Sequence, residues 1–289
     1  MKSLYVVLFI ALHLLLIPEQ AHASTAQDQD ITLEDILTLE EPFADNDYNG
    51  NVDHSLPFEY RPGSTPILIT APHSVVHLRE GEEKAAEIYT GALGFLLHEK
   101  TDVHYLYSTK RAEDANYAEG GLFKEAMTRI ISQYDIQLVI DLHGAGRDHD
   151  FDIDLGTVYG KSLHSGRVEE FMNLFSRHGI TDVRENDTFP AENPDTITHF
   201  SWAQLATPAV QVEINQKYRD PRDNIGAFLQ VYNGLADIIN SHSVAAALLS
   251  NQSGSIPFCG GHRVETALWK AAPKEGFLSP PPPICRRLL

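Results

Sequence analysis

The stretch 138-LVIDLHGAGRD-148 decides how the rest of the chain is read. Leu138, Val139, Ile140 and Leu142 enclose Asp141, as in a buried strand. The run then ends in His143, two glycines, Arg147 and Asp148. Glycines at such a point let the backbone approach a ligand closely. Asp141 and His143 are two residues apart, so on a strand they face the same side. The strand therefore carries polar chemistry to the edge of a sheet.

Outward from it, 65-TPILITAP-72 and 208-PAVQVEIN-215 are further buried strands, and 103-VHYLYST-109 and 153-IDLGTVYG-160 also read as strands. Helical spacing fills the gaps. It runs from about Glu82 to Glu99 through Ala85, Ile88, Tyr89, Ala92, Leu93, Leu96 and Leu97. It recurs from Gly120 to Tyr134 through Phe123, Met127, Ile130 and Ile131, and from Ser162 to His178 through Val168, Phe171, Leu174 and Phe175. A long helix from Gly226 to about Leu249 completes the series. This alternation predicts an α/β fold with a mixed, largely parallel sheet flanked by helices. Sites in such folds gather at the carboxyl ends of the strands.

The 289 residues, 43% of them hydrophobic, suffice for one α/β domain of about 200–250 residues, placed here at 61–250. Residues 1–23 have the form of a secretory signal peptide: Lys2, the apolar run 4-LYVVLFIALHLLLI-17 and the small-x-small site Ala21-His22-Ala23. The run is shorter than the ~20 residues a spanning helix needs, and His13 interrupts it. The mature protein is accordingly expected to be exported, periplasmic or secreted, with no membrane contact after signal removal. Residues 24–60 are polar and acidic and read as an extended lead-in. Residues 251–289, with 280-PPPP-283, read as an irregular tail.

Net charge is -18, from 40 acids against 22 Lys and Arg, which disfavours nucleic acid as a partner. No obligate protein partner is expected. Export permits a disulfide between Cys259 and Cys285, but two cysteines are no framework and no basis for a cysteine zinc site. G-x-S-x-G, H-E-x-x-H, phosphate-loop and dinucleotide motifs are absent from the sequence.

Three strands end in unusual chemistry: 71-APHS-74, 141-DLHG-144 and 213-EIN-215. A lone histidine after a strand is more often structural than ligating. Three such ends at one sheet edge are another matter. Two imidazoles and a carboxylate there form a zinc site with an open position, and a further glutamate could activate the water. The carboxylate ligand is sought near His73, among Glu80, Glu82, Glu83 and Glu87, between which spacing does not choose. Arg147 could clamp a substrate carboxylate or pair internally with Asp148, Asp150 or Asp152. Arg79, Lys84, Arg111 and Asn116 are further candidates for substrate recognition.

APHS at a strand end, the block H-x-R-E-G-x-x-K-x-A-x-x-Y-T-G, the string IDLHGAGRDHDFDIDLGT and VQVEIN together resemble the N-formylglutamate amidohydrolase-like family, over roughly Pro66 to Tyr218. That family is similar to the zinc carboxypeptidases and to the succinylglutamate desuccinylase and aspartoacylase group. The resemblance implies a zinc carboxypeptidase-like fold, with His73 and His143 as zinc ligands and Glu213 as general base. Its acidic position falls on Glu87, with Glu80 as the alternative, although relatives often carry aspartate there. Asp141 would support a ligand from behind. The expected activity is zinc-dependent hydrolysis of a C–N amide bond in an N-acyl amino acid or small peptide. The alternatives are a carboxypeptidase-type or γ-glutamyl zinc peptidase, and a non-catalytic secreted binding protein that keeps the fold. Export fits a peptidase or amidase acting on peptide or γ-glutamyl material better than cytosolic histidine breakdown.

Overall fold

The computed structural model describes residues 31–252. The chain divides into two units, Met1–Ala247 and Leu248–Leu289. In the second, the described residues are the helical 248–252; the sheet and the site belong to the first. The expected leader 1–23, the tail beyond Gln252 and both cysteines lie outside the described residues.

In chain order, α1 (Leu33–Ala44) leads to β1 (Phe58–Arg61), β2 (Ile67–Ala71), and the short β3 (His77–Arg79) and β4 (Glu82–Lys84). Next come α2 (Thr90–Thr101), β5 (His104–Ser108), β6 (Ala112–Glu113), α3 (Leu122–Tyr134) and β7 (Leu138–Ala145). The chain continues through β8 (Ile153–Gly156), α4 (Ser165–Arg177), β9 (Val183–Glu185) and α5 (Ile197–Leu205). It then forms β10 (Ala209–Asn215), α6 (Gln216–Arg219) and α7 (Pro221–Gln252).

Seven strands form one sheet in the order β1-β5-β2-β7-β10-β8-β9. The four in the middle, β5, β2, β7 and β10, are mutually parallel. Strands β1 and β8 join antiparallel at either side, and β9 pairs parallel with β8. Strands β4, β3 and β6 form a small separate sheet. Successive side chains on a strand face opposite ways. Leu138, Ile140 and Leu142 of β7 accordingly join the larger core cluster, with Ile36 and Phe43 of α1, Leu93 of α2, Phe171 of α4 and Phe228 of α7. Val139 joins the smaller cluster on the other face, with Phe123 and Met127 of α3 and Ile197 of α5. The architecture is the mixed, largely parallel sheet flanked by helices that the alternation predicts.

Two segments differ from expectation. The lead-in is not extended: it contains α1, which starts at a capping box between Thr32 and Asp35 and buries Ile36, Glu40 and Phe43. The helix expected from Glu82 is instead strand β4, a loop, and a helix beginning at Thr90. The loop forms because the Glu87 N–H donates to the His73 carbonyl at 2.8 Å, outside any helical ladder, and Tyr89 adopts a left-handed φ of 67°.

Candidate metal centre

Strands β2, β7 and β10 lie side by side and run the same way, so their carboxyl ends meet at one sheet edge. Register completes the placement. Thr70 lies opposite Asp141, Asp141 opposite Gln211, and His143 opposite Glu213. Because side chains alternate, these residues share the face that carries Val139. A polar stripe thus crosses the middle of the sheet, beside apolar Val139, and ends where the strands end.

Glu87 is the hub. Its Oε1 lies 2.7 Å from His73 Nδ1, and its Oε2 lies 3.1 Å from His143 Nδ1. The Gly144 N–H donates to the same Oε2 at 2.8 Å. Each imidazole is backed by a second carboxylate: Asp114 Oδ1 stands 2.7 Å from His73 Nε2, and Asp141 Oδ2 stands 3.0 Å from His143 Nε2. Asp141 is in turn fixed by the Thr70 hydroxyl, which donates to its Oδ1 at 2.6 Å. Carboxylates at Nε2 set the orientation and basicity of an imidazole whose Nδ1 is to hold a metal.

His73, Glu87 and His143 offer ligand atoms within 4.8 Å of one another, and so could hold a metal ion. His73, His77 and Asp114 form a second such group, with the His73 and His77 rings stacked at 3.8 Å. The first group suits a cation better. Asp114 Oδ2 already accepts from Arg79 Nε and Nη2, both at 2.8 Å, and Oδ1 accepts from the Asn116 N–H at 2.8 Å. A guanidinium at that carboxylate repels a second cation.

The charges fit a cation site. Burial lowers the His73 pKa, but Glu87 and the bond to Asp114 outweigh it and raise it to about 9. Burial likewise lowers that of His143, and Asp141 and Glu87 carry it well above the ordinary value. Burial raises the Glu87 pKa, and the two imidazoles override it, holding the carboxyl well below its ordinary range. Carboxylates that draw positive charge onto both imidazoles would draw it equally from a divalent ion. Two imidazole nitrogens and one carboxylate are also the donor set of catalytic zinc.

Glu213 faces the same opening from β10. Its carboxyl is pushed up to about 8, by burial first and by Glu87, against the opposing influence of His143. Gln211 Nε2 donates to its Oε1 at 3.1 Å. The opening is a cleft of about 430 Å³ whose lining includes His73, Glu87, His143, Glu213 and Arg79. Asn116 also lines it, with its Oδ1 held by the Ile197 N–H at 2.7 Å. Opposite lies the segment 188–193, shaped by buried Asp154, which accepts from the N–H groups of Asp187, Thr188 and Phe189 at 3.1, 2.8 and 2.8 Å.

Several candidates are placed elsewhere. Glu80 accepts from the Tyr117 hydroxyl at 2.9 Å and belongs to neither metal-binding group. Arg147 does not line the cleft; the exposed carboxylate of Asp223 draws it away. Its partner is thus from α7 and not from the nearby acids Asp148, Asp150 or Asp152. Arg111 pairs with Glu83 at the surface, and Lys84 is exposed. Asp114, His77, Gln211 and Asp154 were missed from the sequence. Asp154 had a signal, an acid inside an apolar run like Asp141. Asp114 had none, because it lies in the polar string 111-RAEDANY-117.

Sheet and sheet-edge cluster together define a mixed, largely parallel α/β fold with a candidate metal site at the carboxyl ends of its central strands. Among solved structures, the N-formylglutamate amidohydrolase of Ralstonia eutropha aligns with a TM-score of 0.50 and 14% identity, over 66% of this chain and 98% of that one. A gene product of Agrobacterium tumefaciens aligns with a TM-score of 0.49 and 14% identity, over 67% and 97%. A bacteriophage poly-γ-glutamate hydrolase aligns with a TM-score of 0.41 and 15% identity, over 68% and 92%. No protein-family model matches the chain, and no curated protein sequence does. At these identities the likeness is one of fold.

Proposed function

We propose that the protein is an exported zinc-dependent hydrolase that cleaves a C–N amide bond in an N-acyl amino acid or a small peptide. One observation carries the reading: the Glu87 carboxylate joins two imidazoles, each backed by its own buried carboxylate, beside Glu213 in one cleft. His73, Glu87 and His143 would hold the zinc, which supplies a Lewis acid for the amide carbonyl and for the attacking water.

The chain's own groups supply the rest. Glu213 takes a proton from the water and delivers it to the leaving amine nitrogen. Burial, with Glu87 beside it, makes Glu213 a stronger proton acceptor than a free carboxylate. Gln211 holds one oxygen and so aims the carboxylate. Arg79 is the arginine among the cleft-lining residues, and Asp114 fixes its Nε and Nη2. Its remaining amino group is the natural partner for a free carboxylate on the substrate. Export rests on the form of residues 1–23.

Metal analysis of the purified protein, with a substrate panel, tests this. Stoichiometric zinc and release of a short acid from N-acyl glutamate support it. Release of terminal residues from peptides instead marks a carboxypeptidase-type enzyme built on the same groups. Absence of bound zinc together with no hydrolysis of either substrate class leaves a binding protein and ends the enzyme reading.

A further inference from the structure

Glu87 lies in the connection between β4 and α2, a segment with no regular structure of its own. Its own N–H donates to the His73 carbonyl, and its carbonyl accepts from the Thr90 N–H at 3.2 Å and hydroxyl at 2.7 Å. The residues that follow are held from outside the cleft by two buried charges. Arg219, 5% exposed, donates from Nη1 to the Ile88 carbonyl at 2.5 Å and from Nη2 to the Ala145 carbonyl at 3.3 Å. One guanidinium thus bridges the backbone beside Glu87 and the backbone beside His143. Gly144 leaves room for it, since a Cβ there would stand 2.3 Å from Arg219 Cζ.

Glu40 of α1, 3% exposed, accepts from the N–H groups of Tyr89 at 2.7 Å and Ala92 at 3.3 Å. The N-terminus of α2 lacks a side-chain cap of its own, so this carboxylate satisfies N–H groups that would otherwise be buried without partners. It also favours the positive end of the helix. Tyr89 stands at a φ of 67°, a conformation a bulky residue keeps only when its surroundings enforce it. The two charges attract each other, so neither is an isolated buried ion.

We propose that Glu40 and Arg219 are positioning residues of the metal centre: they hold the Glu87 segment against the His143 strand and so set the affinity for the metal. The inference rests on the reading of His73, Glu87 and His143 as ligands. It makes α1 part of the site's framework, although no residue of α1 lines the cleft. Neither Glu40 nor Arg219 faces the substrate; each acts through the backbone of its neighbours.

Groups that orient metal ligands typically change affinity about 10- to 100-fold when removed. The test uses the full chain at pH 8, where Glu40, with its pKa raised to about 7, is ionised. Glu40→Gln keeps the shape but turns a donor towards one of the two N–H groups. Arg219→Lys keeps the charge but cannot reach both carbonyls in one plane. Exposed Glu41→Gln is the control, and His143→Ala removes a ligand. The readouts are the zinc Kd, by competition with a chromophoric chelator, and the visible spectrum of the cobalt-substituted protein, which reports ligand number and kind. Circular dichroism checks folding. The expected result is a Kd weakened about 10-fold or more and an altered cobalt spectrum in both variants, with Glu41→Gln unchanged. Folded variants with the wild-type Kd and spectrum overturn the inference. Should Glu40→Gln not fold, Arg219→Lys decides. A wild-type protein that binds zinc no better than His143→Ala overturns the ligand assignment itself, which is a different failure.

Discussion

Glu213 and His143 face each other across neighbouring parallel strands, yet they stand in opposite electrical situations. His143 is drawn towards the charged form by Asp141 and Glu87, while Glu213 is held towards its neutral form by burial and Glu87. A pair of groups pushed apart in this way is the usual mark of divided roles, one binding and one transferring protons. Glu213→Gln is therefore expected to lower kcat by about 10²- to 10⁴-fold while leaving zinc content at one per chain, which turnover assays and metal analysis check together. Loss of zinc in the same variant would make Glu213 a ligand and not a base. His73, His143 and Glu213 were legible in the sequence because each stands at the end of an apolar run, where nothing in the packing demands a charge. Glu87 was legible only through the motif block, because four glutamates share its neighbourhood and its selection depends on a loop that turns back to His73. Asp114 reaches His73 from 41 residues away, a pairing no local pattern encodes.

Helix α1 shows how an element can be missed while its signals are present. Its segment is acidic and polar on average, which suggested an extended lead-in. Yet Thr32 and Asp35 form a capping box, and Ile36, Glu40 and Phe43 recur at helical spacing and are the buried positions. A glutamate among the buried three masked the apolar stripe. Phe43 sets the helix into the core: it is 1% exposed, packs at 5.6 Å from the Phe95 ring and 5.7 Å from the Tyr107 ring, and fills the space that Gly91 leaves open. Phe43→Ala removes this contact and leaves a cavity, at a cost of about 3–5 kcal/mol. Urea unfolding should show that loss as a lower midpoint with an unchanged slope. A midpoint within error of wild type would mean that α1 is only loosely docked. The start of α2 was misjudged for a related reason. Ala85 and Ile88 continue the helical spacing backwards, but the tertiary bond from the Glu87 N–H to His73 overrides local propensity.

Strand order across the sheet turns these local facts into one site. The sequence alternation was enough for the layered α/β class, but it contains no statement that β2, β7 and β10 are neighbours, and their adjacency is what brings three separate strand ends together. The same burial that builds the site also makes stability depend on pH, and Glu40 gives that dependence a definite sign. Burial is the main cause that raises its carboxyl from the ordinary value of 4.5 to about 7, against the bonds from Tyr89, Tyr48 and Ala92 and the attraction of Arg219. Between those two values the folded protein binds more protons at this position than the unfolded chain does. Stability from this group is therefore fully present below about pH 4.5 and is lost as pH rises towards 7, with no further change above it. At about 1.36 kcal/mol per unit, the full loss is of the order of 3 kcal/mol. Other buried groups titrate over the same range, so the measurable quantity is a difference. Chemical denaturation of wild type and Glu40→Gln from pH 4.5 to pH 8 should give stabilities that diverge with rising pH up to about 7, with wild type falling relative to the variant. A constant gap over that range would show that the Glu40 carboxyl titrates in the folded protein as it does in the unfolded chain.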